Sequence, residues 1–280
     1  MKKISRRSFL AASGLTIAAL ALTACGGSAS TASSAASSVA ASSEAASTSA
    51  AAAELTTVEA GKLTMATNAA FPPYEMTTDA GAFEGIDIDT AQAIADKLGL
   101  ELQIDDMDFD AALLSVQQGK ADIAMAGVTV TDERKNVMDF SDSYATGIQS
   151  IIVPEGSDIA SPDDLAGKKI GTQRGTTGYI YCTDDFGEES VQRFSKGADA
   201  VQALSTGKID AVIIDNKPAQ VFVDENEGLK LLETPYAEEE YAIAVKKGNT
   251  ELLDAINASI ANLKESGKLD EIVAKYITAE

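Results

Sequence analysis

Asp122 to Arg134 read D-I-A-M-A-G-V-T-V-T-D-E-R. The apolar run Ile123 to Ala126 has the composition of a buried strand. Gly127 after it lets another group come close to the backbone, so that the N–H groups beyond it can face a ligand. Hydroxyls at Thr129 and Thr131 follow, and then a single arginine, Arg134. A planar guanidinium, a hydroxyl and free backbone N–H groups at the end of a strand are the parts that hold a carboxylate from several sides. The stretch predicts a buried strand that ends at a receptor for a small acid.

Upstream, Lys62 to Thr67 reads as a first strand, and Phe83 to Asp89 alternates into a turn before a helix from Thr90 to Leu98 that stops at Gly99. Glu101 to Asp106 is a second strand, Phe109 to Gln118 an amphipathic helix closed by Gly119, and Ala121 to Ala126 the third strand. Strand and helix in alternation predict an α/β fold, a parallel sheet with helices on both faces. Downstream the unit recurs: Val201 and Leu204 precede T-G-K-I-D-A-V-I-I-D as Leu113 and Val116 precede Q-G-K-A-D-I-A-M-A-G. Each puts a Gly-Lys turn between a helix and a buried strand, and open α/β sheets bind ligands at their carboxyl edges. Two such sheets facing each other form a cleft.

The 280 residues hold no histidine, which removes Ser-His-Asp and Cys-His catalysis and most zinc sites. Net charge is −21, with no basic patch interleaved with aromatics, so nucleic acid is not an expected partner. Met1 to Cys25 has a charged start (Lys2, Lys3, Arg6, Arg7), a short apolar stretch from Phe9 to Leu22 and the ending L-T-A-C. That is an export leader rather than a spanning helix. Its ending is similar to a lipobox, which makes Cys25 the lipid-bearing first mature residue. S-R-R-S-F-L (Ser5 to Leu10) also resembles a twin-arginine signal, and both the general and the twin-arginine export routes stay open. The leader holds four basic residues and no acidic ones, so its loss leaves 18 basic against 43 acidic residues, a charge of −25. Residues 26–53 are almost wholly Ala, Ser, Thr and Gly, a disordered tether that sets the domain roughly 30 Å from its anchor. With Cys25 committed to lipid, Cys182 has no partner within the chain and is expected as a small thiol in a core or at a loop edge.

The opening stretch resembles the A-G-x-T-x-T-x-E-R motif of solute-binding proteins that serve polar amino acid ABC transporters. The likeness continues in T-N-A-A-F-P-P-Y-E (Thr67 to Glu75), G-I-D-I-D (Gly85 to Asp89), M-D-F (Met107 to Phe109), D-F-S-D-S-Y (Asp139 to Tyr144) and I-D-A-V-I-I-D (Ile209 to Asp215). The resemblance implies a two-lobed periplasmic-binding-protein fold of type II, each lobe a mixed, mainly parallel sheet flanked by helices, joined by two hinge strands. Lobe 1 would be discontinuous, 54–147 and 238–280, and lobe 2 would span 148–237. The implied function is that of a lipid-anchored extracellular receptor of an ABC importer, monomeric and without cofactor or metal. It would bind a polar L-amino acid and hand it to permease subunits at the outer face of the cell membrane, or on the periplasmic side of a two-membrane envelope.

By the same resemblance, Arg134 takes the ligand carboxylate and Asp215 its ammonium group. Gly127 and Thr129 add contacts from lobe 1, Thr176 and Thr177 from lobe 2, and Phe71 and Phe109 flank the ligand side chain. Asn68 and Gln173 stand where other members carry Asp or Lys, and two neutral amides lean toward a neutral side chain such as glutamine over lysine or arginine. Taken alone, Arg134 reads as a solvated helix-end residue, Asp215 as an N-cap acid, and the two phenylalanines as core. The acid clusters Asp105, Asp106, Asp108, Asp110 and Glu238 to Glu240 read as hydrated surface, without calcium-loop spacing. G-T-Q-R-G-T-T-G (Gly171 to Gly178) lacks the Gly-Lys-Ser/Thr ending of a phosphate loop. Competing readings are an enzyme on the same fold, similar to a cyclohexadienyl dehydratase with Glu75 or Asp215 as general acid, and an amino acid sensor.

Overall fold

The computed structural model describes residues 55–277. The leader, Cys25 and the tether at 26–53 lie outside the described residues. In chain order the elements are β1 (Lys62–Thr67), β2 (Ala70–Phe71), β3 (Glu75–Thr77), β4 (Phe83–Glu84), α1 (Ile86–Leu98), β5 (Glu101–Asp106), α2 (Phe109–Gln117), β6 (Ile123–Ala124), α3 (Asp132–Lys135), β7 (Met138–Phe140) and β8 (Ala145–Pro154). They continue with β9 (Ile170–Gln173), α4 (Thr177–Phe186), β10 (Val191–Phe194), α5 (Gly197–Ser205), β11 (Ala211–Asp215), α6 (Asn216–Glu225), β12 (Leu229–Leu231), β13 (Ala237–Tyr241), β14 (Ala244–Lys246), α7 (Thr250–Glu265) and α8 (Lys268–Tyr276).

Two mixed sheets carry the fold. The first runs β5-β1-β6-β14-β7, and the second β10-β9-β11-β8-β12 with β13 also paired to β8. In the first, β1 pairs in parallel with β5 and β6, while β14 runs antiparallel to β6 and β7. In the second, β9 is parallel to β10 and β11, and β8 is antiparallel to β11, β12 and β13. The parallel pairs come from the strand-helix-strand units legible in the sequence. The antiparallel pairs come from chain that enters each sheet from the other.

Alternation along the strands assigns side chains to two faces. Leu63, Met65, Ile123 and Val245 pack with α1, α7 and α8, while Ala66, Ala124 and Ala244 face α2. In the second sheet Ile152, Val212 and Ile214 pack on α5 and α6, and Ile151, Ile213 and Ile170 face Cys182 of α4. Both faces of each sheet are therefore covered, which explains why the strands are nearly continuous in apolar residues. Cys182 is a buried core thiol.

Two elements differ from the sequence expectation by more than one residue. Helix α1 begins at Ile86 and not at Thr90, because Ile86, Thr90, Ala91 and Ile94 share one buried face at helical spacing, and Asp87 and Asp89 suit the positive end of the helix dipole. Strand β6 covers only Ile123–Ala124 of the expected Ala121 to Ala126. Beyond it Gly127 turns into the left-handed region at φ 55, and the chain leaves the ladder to enter the site.

The chain crosses from the first sheet to the second between β7 and β8 and returns between β13 and β14. The two crossings are laced together: Ser141 N–H donates to the Ile243 carbonyl at 2.9 Å, Ile243 N–H to Ser141 Oγ at 2.9 Å, and Tyr144 N–H to the Tyr241 carbonyl at 3.0 Å. Gly147 on β8 lies under the fully buried Tyr241 ring, and a Cβ there would come within 2.5 Å of ring carbons. Gly147→Ala is expected to destabilise the protein by about 1–3 kcal/mol through overpacking, read as a lowered urea midpoint. A urea midpoint unchanged by Gly147→Ala would refute the packing argument.

Candidate functional site

The carboxyl ends of β1, β6, β9 and β11 converge on one cavity. Its wall includes all ten residues singled out in the sequence: Asn68 and Phe71 beyond β1, Phe109 at the head of α2, Gly127, Thr129 and Arg134 after β6, Gln173, Thr176 and Thr177 after β9, and Asp215 closing β11. Convergence on strand ends follows from the topology, because the loops after parallel strands all open on the same edge.

Arg134 is 8% exposed although it sits in the four-residue helix α3. One guanidinium nitrogen donates to the Thr129 carbonyl at 2.6 Å and another to the Gly175 carbonyl at 3.0 Å, while the group lies 5.5 Å from the centre of the Phe109 ring. Among the described residues it has no ion-pair partner within 4 Å. Burial pushes its pKa down from the ordinary arginine value, with Glu239 opposing. The solvated helix-end reading of Arg134 is thereby replaced. Thr131, expected among the ligand-facing hydroxyls, instead caps α3 by accepting from the Arg134 N–H at 3.2 Å.

Asp215 is 2% exposed. It caps α6, one oxygen accepting from the Lys217 N–H at 3.1 Å, and its second oxygen accepts from the Ile148 N–H and the Tyr241 hydroxyl, both at 2.8 Å. It is thus both an N-cap acid and a cavity residue. Burial raises its pKa to about 6, and the donors from Tyr241, Ile148 and Lys217 limit the rise.

Other expected residues have partners of their own. Gly127 has no room for a Cβ, which would lie 2.9 Å from the Phe71 ring, and its N–H donates to Asp87 at 2.9 Å, so this particular N–H is engaged in the wall. Thr129 donates to Glu239 at 3.0 Å and lies 3.4 Å from the Thr177 hydroxyl across the cleft. Thr176 caps α4. Gln173 donates to Asn68 at 2.9 Å and to the Ser195 carbonyl at 3.1 Å, while the Asn68 amide donates to the Met107 carbonyl at 2.8 Å.

The wall also contains Glu75, Gln149 and Tyr241, which were not among the expected binding residues. Only Glu75 was visible beforehand, within T-N-A-A-F-P-P-Y-E. Of the acid clusters, Glu239 is buried and accepts from Thr129 and Gln149, Asp106 accepts from the Ala69 N–H, and Asp108 and Asp110 pair with Arg174 from the other side of the cleft at 2.8 and 2.9 Å. They are structural as well as hydrated.

Residues 63–279 match the model of the bacterial extracellular solute-binding proteins, family 3. The chain belongs to this family. The glutamine-binding protein GlnH of an ABC transporter of Bacillus subtilis is 39% identical over 201 residues, 70% of this chain and 74% of that protein. The arginine-binding extracellular protein ArtP of the same organism is 32% identical over 225 residues, 78% of this chain and 87% of that one. Among solved structures, an ancestral arginine-binding protein bound to glutamine superposes with a TM-score of 0.75 at 40% identity, covering 79% of this chain and all of that one. Such neighbours share the two-lobed type II periplasmic-binding-protein fold. As a family member the protein is an extracellular-type solute-binding protein for ABC transport and not an enzyme.

The raised pKa of Asp215 has a consequence for stability. Well below pH 3.8 the group is protonated in both folded and unfolded chains, whereas between about pH 4 and 6 the unfolded chain is ionised and the folded one still protonated, so this carboxyl removes stability across that window. In the ligand-free protein, the unfolding free energy of Asp215→Asn minus that of wild type is therefore expected to grow between pH 4 and pH 7, by up to about 3 kcal/mol at 1.36 kcal/mol per pKa unit. Chemical denaturation across that range measures it, and a flat difference would refute it.

Proposed function

We propose that this protein is a lipid-anchored extracellular receptor that encloses a polar L-amino acid between its lobes and delivers it to the permease of an ABC importer. The observation that carries the reading is the pair of opposite charges, Arg134 and Asp215, buried in one cavity and without ion-pair partners among the described residues. An unpaired buried ion costs several kcal/mol. A zwitterion offsets both costs at once, its carboxylate against the guanidinium and its ammonium against the aspartate. The names of the relatives, which include glutamine-binding and arginine-binding proteins, agree with a ligand of this class.

Under this reading the ten cavity residues are ligand contacts or their immediate supports. Lobe 1 comprises 54–147 and 238–280, and lobe 2 comprises 148–237. The laced crossings act as the hinge, and closure is a population shift that the ligand drives by touching both lobes. Cys25 carries the lipid after removal of the leader, and 26–53 tether the domain to the outer face of the membrane.

With no tryptophan in the chain, calorimetry is the suitable assay. Titration of the protein with the twenty amino acids is expected to give saturable binding of a polar member. Arg134→Ala is expected to weaken it by about 3–5 kcal/mol, a factor of about 10² to 10³ or more in Kd. Unchanged affinity in the variant would remove Arg134 from the site and with it this reading.

A further inference from the structure

Behind the loop that carries Thr129 and Arg134 lies a buried acid for which the balance of two ligand charges leaves no role. Glu239, in the middle of β13 on the returning crossing, is 6% exposed. Its strand is sewn to that loop: the Val130 N–H donates to the Glu240 carbonyl and the Ala242 N–H to the Val128 carbonyl, each at 3.1 Å. One Glu239 oxygen accepts from the Thr129 hydroxyl and from the Gln149 side-chain amide, both at 3.0 Å. The other accepts no hydrogen bond of ordinary length among the described residues, although the Tyr181 hydroxyl of α4 is close by. Among those residues Glu239 also makes no ion pair within 4 Å.

Thr129 joins this acid to the one cation among the lining residues, Arg134. Its carbonyl accepts from the guanidinium at 2.6 Å while its hydroxyl donates to Glu239 at 3.0 Å, so both charges are held to a single residue. Of the charges that bear on Arg134, that of Glu239 is the largest, whereas on Asp215 it is the smallest influence, below burial and three hydrogen bonds. We propose that Glu239 is a positioning residue that limits affinity: it draws on the charge of Arg134, so that a ligand carboxylate is held less tightly than the guanidinium alone would hold it. The proposal deepens the amino acid reading above and rests on it.

With an amino acid bound, the ammonium group is answered by Asp215, and the carboxylate has to share the guanidinium with Glu239. Two like charges then repel each other through a space that water screens poorly. A receptor that hands its ligand on has to let it go, and an acid fixed on the crossing strand lowers the hold without occupying the cavity, whose wall Glu239 does not join. The charge can be removed without removing the contacts. In a glutamine at this position the carbonyl oxygen can accept from Thr129 and Gln149, and the amide nitrogen falls where no hydrogen bond is received, beside a Tyr181 hydroxyl oxygen able to accept one.

The test is calorimetric titration of the full chain and its variants with L-arginine, L-glutamine and any other of the twenty amino acids that bind. Glu239→Gln is expected to tighten binding at least about threefold. Glu239→Asp keeps the charge but shortens the arm, and is expected not to tighten it. A merely structural role for the acid predicts weaker binding in both variants, so a gain confined to the neutral one carries the decision. Glu239→Gln that binds as wild type does or more weakly overturns the inference, and so does a gain of similar size in Glu239→Asp. If Glu239→Gln does not fold, Glu239→Met, neutral and of similar length, takes its place under the same criterion. Failure of both neutral variants to fold also overturns the inference, because the acid then serves the fold alone. Binding lost in Arg134→Ala but unchanged in Glu239→Gln ends this inference and leaves the amino acid reading intact; no binding of any amino acid ends both.

Discussion

A guanidinium and a carboxylate are buried in the same cavity and the protein does not let them meet. Side chains of this kind normally form an ion pair when they share a dry space, because the desolvation of each is then partly offset by the other. Here each is held by a separate set of dipoles: Arg134 by the Thr129 and Gly175 carbonyls, Asp215 by the Ile148 and Lys217 N–H groups and the Tyr241 hydroxyl. These bonds fix direction without cancelling charge. The cavity stays polarised, positive near α3 and negative at the end of β11, and that separation is the property a dipolar solute would meet.

Where those dipoles come from ties the site to the chain crossings. Ile148 lies on β8 and Tyr241 ends β13, the two strands that pair with each other next to the passage between sheets. Tyr241 also lies against Gly147 and packs edge-on to Tyr74 at 5.5 Å. A change in the angle between the crossings must therefore disturb the donors of Asp215, and a change in the charge at Asp215 must be felt by the crossings. The cavity acid and the inter-sheet geometry share residues, so no separate relay is needed to couple them.

The architecture was legible where local rules act alone. β1 and β5 fall on the expected residues because apolar alternation and flanking turns suffice to define them, and α2 falls short of its expected end by one residue. The start of α1 was hidden because Ile86 to Asp89 alternate as a strand does while also placing Ile86 on the helix's buried face. The cavity wall was legible through motif positions, which name residues at strand ends. What motif reading could not supply was pairing across the cleft: Gln149 on β8, Tyr241, and the buried member of the Glu238–Glu240 run are set by sheet register and by the second crossing. A run of three glutamates alternates on a strand, and only registry decides that Glu239 faces inward.

Contacts across the cavity differ in strength. The most conspicuous bridge is Arg174, which reaches both Asp108 and Asp110. All three side chains are about four-tenths exposed, and exposed ion pairs contribute little and weaken with salt. The Gln173–Asn68 and Arg134–Gly175 bonds are largely shielded from water, where a neutral hydrogen bond contributes about 0.5–1.5 kcal/mol net and one to a charged group about 1.5–3. Against these stands the desolvation of Arg134 and Asp215, several kcal/mol per ion when uncompensated. The bridges alone are then too weak to hold the cleft firmly shut. Under the proposed function, a solute that neutralises both charges removes the opposing cost, so its own charge pattern, more than any latch on the rim, would decide between open and closed.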